Sequence, residues 1–252
     1  MFNYKGKVVA ITGASSGLGV QMARGFAAQG ATVVLMARRV ERLEELANEI
    51  KAAGGEALAV QLDVTKDDNI QQSVDTIIET YGKVDVLINN AGASQGGAIT
   101  EMTNEAWDFT MELDLTSVFK MTRAYSKVMK DANYGRIINI ASMYGLMGTN
   151  QQQSAYHASK AGVVNFSRAV AAELAPYNVT VNTICPGYFE TELTGDTLNT
   201  ESFQGYMDVM VPMKRYGKEG ELNAAAIFLG SEEAAYVTAV TLPVDGGWSA
   251  CK

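Results

Sequence analysis

Short apolar runs alternate with amphipathic segments along this 252-residue chain, and the alternation constrains the fold more than any other feature. The apolar runs predict seven strands, at 7–11, 32–36, 57–62, 85–89, 136–141, 179–184 and 241–244. Helical spacing predicts six helices, over about 18–29, 40–53, 70–81, 104–131, 154–175 and 218–229. This order predicts a doubly wound, Rossmann-type α/β fold with a seven-stranded parallel sheet and helices on both faces.

One segment, 190–211, fits neither pattern firmly. With four prolines and no linker-like block, the chain is expected to form a single domain over 1–252. A long connection inside such a domain is usually functional, so we expect a substrate lid at about 190–211. Its apolar residues could close over a ligand or could simply pack on the body of the domain. It holds five acidic residues and no basic one, which disfavours a strongly anionic ligand.

Composition excludes several kinds of site and partner. One histidine, His157, and two cysteines cannot build a four-ligand zinc site or a disulfide framework, so we expect no metal site. The formal net charge of −8 repels phosphate backbones and anionic headgroups, so nucleic acid and membrane partners are not expected. The chain lacks a signal-peptide core and an 18-residue apolar stretch, which predicts a cytoplasmic protein.

A glycine-rich turn follows the first predicted strand and precedes the first predicted helix. Its glycines, Gly13, Gly17 and Gly19, would let the backbone approach a pyrophosphate, while the N–H groups at the start of the helix face the anion. The alternative is a strand-to-helix turn that only needs small residues. The glycine spacing differs from the common G-x-G-x-x-G pattern of dinucleotide sites.

Further motifs follow the other predicted strands in order. They are Asn89-Asn90-Ala91-Gly92, then Ser142, then Tyr156-x-x-x-Lys160 on the next helix, then Pro186-Gly187. Together with the T-G-x-x-x-G-x-G turn, they make nearly the whole chain resemble the short-chain dehydrogenase/reductase family. The resemblance implies a nicotinamide cofactor, a small-molecule substrate whose ketone and secondary alcohol forms are interconverted, and a homotetramer.

The resemblance also implies which residues contact the cofactor. Asp63 and Val64 would contact adenine, and residues 90–92 would line the adenine-ribose side. Tyr156 and Lys160 would reach the nicotinamide ribose. Asn90, Ala91 and Gly92 follow the fourth strand. The remaining predicted contacts are, in the turn, Gly13, Ser15, Ser16, Gly17, Leu18 and Gly19 and, at the nicotinamide end, Pro186, Gly187, Phe189 and Thr191.

The end of the second strand indicates which dinucleotide is used. An acidic residue there would bind the 2′-hydroxyl of NAD(H), whereas arginine attracts the 2′-phosphate of NADP(H). This chain has Ala37 followed by Arg38 and Arg39, which favours NADP(H), with NAD(H) as the alternative. Family members that use NADP often carry a basic residue where this chain has Ser16.

Tyr156 and Lys160 are four residues apart, so a helix places them on one face. A nearby ammonium ion favours the phenolate form of a tyrosine, and a hydroxyl such as that of Ser142 can hold a substrate oxygen beside it. The resemblance implies that Tyr156 is the general acid and base, that Lys160 activates it and that Ser142 orients the carbonyl. Taken alone, the Tyr-Lys pair could also be a surface pair on an amphipathic helix.

The fourth catalytic position departs from the family pattern. Where the family has asparagine, on the long helix, this chain has Asp114. Ionised aspartate can only accept hydrogen bonds, whereas asparagine also donates. We expect Asp114 to accept from the proton-relaying water of the family mechanism, to interact electrostatically with Lys160 and to alter the pH optimum.

The sequence leaves three functions open, two of which differ in substrate class. The segment 187–194 resembles gluconate 5-dehydrogenase-type enzymes, which predicts a sugar acid or polyol. The general layout resembles 3-oxoacyl-acyl-carrier-protein reductases, but the two places where those carry arginines hold Asn133 and Tyr177 here. The third reading is a catalytically weak, cofactor-binding relative, since a fold does not fix a function.

Overall fold

Seven parallel strands form one continuous sheet in the computed structural model, which describes residues 2–93, 95–191, 198 and 200–251. The strand order is β3-β2-β1-β4-β5-β6-β7, so the chain turns back at the centre of the sheet, between β1 and β4. The strands are β1 Val8–Thr12, β2 Thr32–Ala37, β3 Glu56–Gln61, β4 Val86–Asn89, β5 Gly135–Ile140, β6 Val179–Pro186 and β7 Thr241–Val244.

Helices cover both faces of this sheet. In chain order they are α1 Gly17–Ala28, α2 Val40–Ala52, α3 Asp67–Tyr81, α4 Asn104–Met111, α5 Ser117–Asp131, α6 Ser154–Leu174, α7 Glu201–Met210 and α8 Asn223–Gly230. One core cluster joins the sheet to α1, α2 and α8, and a second joins it to α3, α5 and α6. The predicted fold class, a doubly wound parallel sheet in a Rossmann-type domain, is therefore confirmed.

The apolar runs form strands because side chains on both faces of a parallel sheet are buried. Every residue of β1, β4, β5 and β6 is buried. Parallel register places Ile11, Ile88 and Ile138 side by side across three neighbouring strands, with Leu35 next to Ile11. This row fills the centre of the core.

Three predicted segments differ from the structure. The helix expected over 104–131 is interrupted by a π-helical turn, Glu112–Thr116, between α4 and α5. The last helix begins at Asn223 rather than near 218, because Gly220 adopts a positive φ of 82° that ends the preceding turn. Part of the predicted lid forms α7, while 192–197 and 199 lie outside the described residues.

Within the described ranges, none of the helices has the length and apolar character needed to cross a lipid bilayer.

Ile138, at the centre of β5, is 0% exposed and belongs to the first core cluster. We expect Ile138→Ala to lower the free energy of unfolding by about 2–5 kcal/mol, because it removes buried apolar groups and leaves a cavity. Ile99→Ala is the matched control, since Ile99 is 71% exposed. Urea unfolding followed by circular dichroism measures both, and an equal loss in the two variants would contradict the assignment of the core.

Candidate active site

A cleft of about 410 Å³ opens at the carboxyl ends of the central strands, where the strand order reverses. Open α/β sheets bind ligands at this switch point. Residues from after β4, β5 and β6 meet there with residues of α6. Of the residues predicted from the sequence, those that line the cleft are Leu18, Asn90, Gly92, Ser142, Tyr156, Lys160, Pro186 and Gly187.

The glycine-rich turn lies beside the cleft and has no room for side chains at two of its glycines. A Cβ atom on Gly19 would lie 2.3 Å from the Gly13 carbonyl oxygen, and one on Gly13 would lie 2.9 Å from Asn90 Nδ2. Gly13 and Gly17 also have positive φ values of 68° and 58°. The turn therefore brings bare backbone and the first N–H groups of α1 to the surface, the arrangement that suits a bound pyrophosphate.

The Thr12 hydroxyl fixes this turn to the end of β4. Its Oγ1 accepts hydrogen bonds from the backbone N–H groups of Asn90, at 2.8 Å, and Ala91, at 3.0 Å. The Asn90 amide donates in return to the Thr12 carbonyl at 3.0 Å. Sequence reasoning did not single out Thr12 as a site residue, although its position immediately before Gly13 was the available signal.

The two arginines after β2 differ in their surroundings. The Arg39 guanidinium donates to Ser15 Oγ at 3.1 Å and to Ser16 Oγ at 3.2 Å, so it lies over the glycine-rich turn. Arg38 is exposed. Burial disfavours the charged form of Asp63, but hydrogen bonds from the hydroxyl and N–H of Thr65 outweigh it and lower the pKa of Asp63, with a smaller contribution from Arg38.

Two more predicted cofactor residues use their side chains in packing. The Val64 side chain is buried in the second core cluster. The Phe189 side chain is buried in the first core cluster and does not line the cleft. Thr191 lies apart from the cleft, beside Ser16 and Gly17 in an adjoining cavity of about 420 Å³.

Ser142, Tyr156 and Lys160 meet on one side of the cleft. Lys160 is only 4% exposed, although it carries a charge. Its ammonium group donates to the Ile140 carbonyl at 3.3 Å and lies 5.4 Å from the centre of the Tyr156 ring. Ser142 Oγ accepts from the backbone N–H of Tyr144 at 3.2 Å, which orients the hydroxyl at the end of β5.

Asp114 lies in the π-helical turn and is completely buried behind Lys160. Its Oδ1 accepts from the Ala93 N–H at 2.8 Å, and its Oδ2 lies 3.7 Å from the Lys160 ammonium group. Oδ2 has no hydrogen-bond partner among the described residues. Burial raises the pKa of Asp114, although Lys160 and the Ala93 N–H both act in the opposite direction. Residue 92 has no room for a side chain, since a Cβ atom added to Gly92 would lie 2.9 Å from Asp114 Oδ1.

Two tyrosines that sequence reasoning did not single out also line the cleft, Tyr144 and Tyr188. Their hydroxyl oxygens lie 2.6 Å apart. His157 does not line the cleft, but its ring stacks on Tyr144 with 4.6 Å between centres. The only sequence signal for the tyrosines was their position shortly after Ser142 and Gly187, at the ends of β5 and β6.

Cysteine does not supply a nucleophile at this site. Cys185 is completely buried at the end of β6, and burial raises the pKa of its thiol to about 12. The thiol therefore stays protonated near neutral pH, and a protonated thiol is a poor nucleophile.

Asn133 and Tyr177, which replace the arginines expected for a carrier-protein reductase, precede β5 and β6. Because the sheet is parallel, both residues lie near the amino ends of the strands, whereas the cleft lies at the carboxyl ends. Arginines at these two places would therefore not flank the mouth of the cleft in the same chain. Their identity says nothing about the charge at this chain's own cleft.

Comparison with known proteins agrees with this arrangement. Residues 7–202 match the family model for short chain dehydrogenases. A 3-oxoacyl-acyl-carrier-protein reductase from Synechocystis is 41% identical over 96% of both chains. The protein of that name from Escherichia coli is 37% identical over 97% of this chain and 98% of its own. A gluconate 5-dehydrogenase from Burkholderia cenocepacia, solved with NADP and tartrate, superimposes with a TM-score of 0.93 at 31% identity, over 98% of this chain and 97% of that one.

The family match spans well over half of the chain, and the relatives match it almost from end to end. The chain therefore belongs to the short-chain dehydrogenase family, whose members are oxidoreductases that bind a nicotinamide cofactor.

Proposed function

We propose that this protein is an NADP(H)-dependent oxidoreductase that interconverts a ketone and a secondary alcohol on a small molecule. The observation that carries the proposal is the meeting of Ser142, Tyr156 and Lys160 in one cleft, directly beside the glycine-rich turn. A positioned acid, an adjacent cation and a hydroxyl donor are the groups that a carbonyl reduction needs from the protein.

The residues around the turn fit a dinucleotide. The close packing of Gly13 on Gly19 would bring the first N–H groups of α1 to the pyrophosphate, where the helix dipole favours negative charge. Arg39 would pair with the 2′-phosphate, because its guanidinium is already directed towards Ser15 and Ser16. When bound, the nicotinamide would supply or accept the hydride.

The protein residues would manage the proton. Tyr156 would give its phenolic proton to the ketone oxygen during reduction and take it back during oxidation. Ser142 would donate a hydrogen bond to the same oxygen and hold it beside Tyr156. The Lys160 charge would stabilise the phenolate that Tyr156 becomes, and burial makes this interaction stronger than it would be in water.

A second candidate is reduction of a 3-oxoacyl thioester. The names of the Synechocystis and Escherichia coli relatives favour it. Both candidates use the same carbonyl chemistry and differ only in what surrounds the ketone. Comparing free ketones, ketoses and keto-acids with 3-oxoacyl thioesters as substrates separates them.

Three further statements stay predictions. The lid at 190–211 and a cytoplasmic location are expected from the sequence. A homotetramer is implied by the family, and exposed aromatic side chains on α4 and α5, Trp107, Phe109 and Phe119, offer an apolar face for it.

Tyr156→Phe removes the group proposed to transfer the proton. We expect kcat/KM for ketone reduction to fall at least about a hundredfold, the usual contribution of a general acid, while NADPH binding is retained. Loss of nicotinamide absorbance measures the reaction, and NADPH fluorescence measures binding. Tyr177→Phe, at the far edge of the sheet, is the control. If the wild type reduces no carbonyl compound, the proposed function is contradicted, and the result favours a catalytically weak, cofactor-binding relative.

Arg39→Ala tests the choice of dinucleotide. We expect NADPH affinity to fall about tenfold to a hundredfold, because a charged hydrogen bond contributes roughly 1.5–3 kcal/mol, while NADH affinity stays nearly constant. Lys51→Ala, which removes an exposed positive charge at the end of α2, is the control. Fluorescence titration with both dinucleotides measures the result. Equal losses for NADPH and NADH would contradict a contact between Arg39 and the 2′-phosphate.

Asp114→Asn removes the negative charge beside Lys160 and keeps the side-chain shape. We expect the pH profile of kcat/KM for alcohol oxidation to move down by about one pH unit, because the ammonium ion then acts on Tyr156 unopposed. Burial raises the pKa of Asp114, so its carboxyl loses its charge at a higher pH than an exposed aspartate does. The two profiles should therefore converge at acidic pH and separate as Asp114 ionises.

Asp108→Asn changes the net charge equally at an exposed position on α4 and is the control for this measurement. Superimposable profiles of wild type and Asp114→Asn over the whole pH range would show that the buried carboxylate does not act on the reaction.

A further inference from the structure

Two tyrosine hydroxyl groups in the cleft have no part in the proposed proton and hydride transfers. The hydroxyl oxygens of Tyr144 and Tyr188 lie 2.6 Å apart, and both residues line the cleft that contains Tyr156. The Tyr144 and Tyr156 rings meet edge to face with 6.1 Å between centres. A substrate whose ketone lies at Tyr156 would therefore bring its neighbouring atoms towards this hydroxyl pair.

Packing from behind holds both tyrosine rings in place. Tyr144 stacks on His157, whose ring nitrogens bond the Thr149 hydroxyl at 3.0 Å and the Gln153 carbonyl at 2.8 Å. Tyr188 packs against Phe203 and Trp248, with 5.0 and 5.3 Å between ring centres. Rigid, supported side chains of this kind bind a ligand without losing further rotamer freedom.

The hydroxyl cluster is neutral and keeps a proton to donate. Burial raises the pKa of both Tyr144 and Tyr188, so both remain protonated near neutral pH. Tyr206, whose ring centre lies 6.4 Å from that of Tyr188, adds to this effect. In a chain of hydroxyls, each internal hydrogen bond uses one proton, so one proton is left for a further acceptor, and lone pairs are left for a donor.

Among the described residues that line the cleft, no cation is available to pair with a carboxylate. Lys160 is the only basic residue among the described residues that line it, and Lys160 already faces Asp114 at 3.7 Å. The segment 190–211 contains five acidic residues and no basic one. Placing a carboxylate or phosphate here would leave a partly buried charge without a partner, which is strongly unfavourable.

We propose that the hydroxyl pair of Tyr144 and Tyr188 determines specificity by binding a second, uncharged oxygen of the substrate. The substrate class is then a neutral ketone or alcohol that carries a neighbouring hydroxyl or carbonyl group, such as a cyclic hydroxyketone, diketone or polyol. A sugar acid does not belong to it. This inference rests on the function proposed above, since it places the reacting ketone at Tyr156.

Three related probes test the proposal with NADPH: cyclohexanone, 2-hydroxycyclohexanone and 3-oxocyclohexanecarboxylate. For Tyr188→Phe and Tyr144→Phe we expect KM for the hydroxyketone to rise about tenfold, with kcat little changed, because one hydrogen bond worth about 1.4 kcal/mol is lost. KM for cyclohexanone should stay constant. Tyr236→Phe, fully exposed, is the control. Equal effects on both ketones, or preferred turnover of the carboxylate, would overturn the proposal.

A binding measurement separates this proposal from the reaction on which it rests. Calorimetry of trans-1,2-cyclohexanediol with the NADP⁺-loaded protein needs no turnover. Suppose that no ketone is reduced, but the diol binds to the wild type and about tenfold more weakly to Tyr188→Phe. The proposed function is then contradicted, and the proposed hydroxyl site is supported. If ketones are reduced but the diol does not bind, or binds equally to the variant, the hydroxyl site is overturned and the function stands.

Discussion

The hydrogen bonds around the Thr12 hydroxyl are the interaction on which the site depends. They tie the end of β1 to the end of β4, at the point where the strand order reverses. A parallel sheet has an open crevice between these two strand ends, because the chain segments that follow β1 and β4 lead to opposite faces of the sheet. The Thr12 hydroxyl closes the base of that crevice, and the Asn90 side chain returns a bond to the Thr12 carbonyl. The glycine-rich turn and the cleft are thereby held at a fixed distance from each other.

The second constraint is electrostatic. Lys160 and Asp114 are both almost completely buried, and water cannot screen charges at this depth. A buried ammonium ion is tolerated because the Ile140 carbonyl and the Asp114 carboxylate lie near it. The carboxylate belongs to the π-helical turn Glu112–Thr116, which places it behind Lys160 and out of contact with solvent. Such turns interrupt α-helices most often at functional sites.

Most of the fold could be predicted from the sequence, because burial on both faces of the central strands favours mainly apolar runs there. The strand at 241–244 was located to the residue, and the ends of α1 and α2 to within one or two residues. The π-helical turn could not be predicted, since residues 104–131 have ordinary helical spacing and a π turn adds only one residue to it. The apolar residues at 203–210 have near-helical spacing, but the segment 190–211 as a whole fits no regular pattern, so the bounds of α7 could not be predicted.

The parts of the site that lie on a single element could be predicted, whereas the contacts between elements could not. The glycine turn, Tyr156 and Lys160 follow from spacing along a single element. Tyr144 and Tyr188 become neighbours only because the register of β5 and β6 brings two strand ends together, and no spacing in the sequence records this contact. Phe203, on α7, and Trp248, after β7, add further contacts to Tyr188 from other elements. The proposed cofactor contacts of the glycine-rich turn thus follow from local sequence, whereas the proposed substrate contacts of Tyr144 and Tyr188 depend on long-range packing. Differences in such packing allow similar folds to act on different substrates.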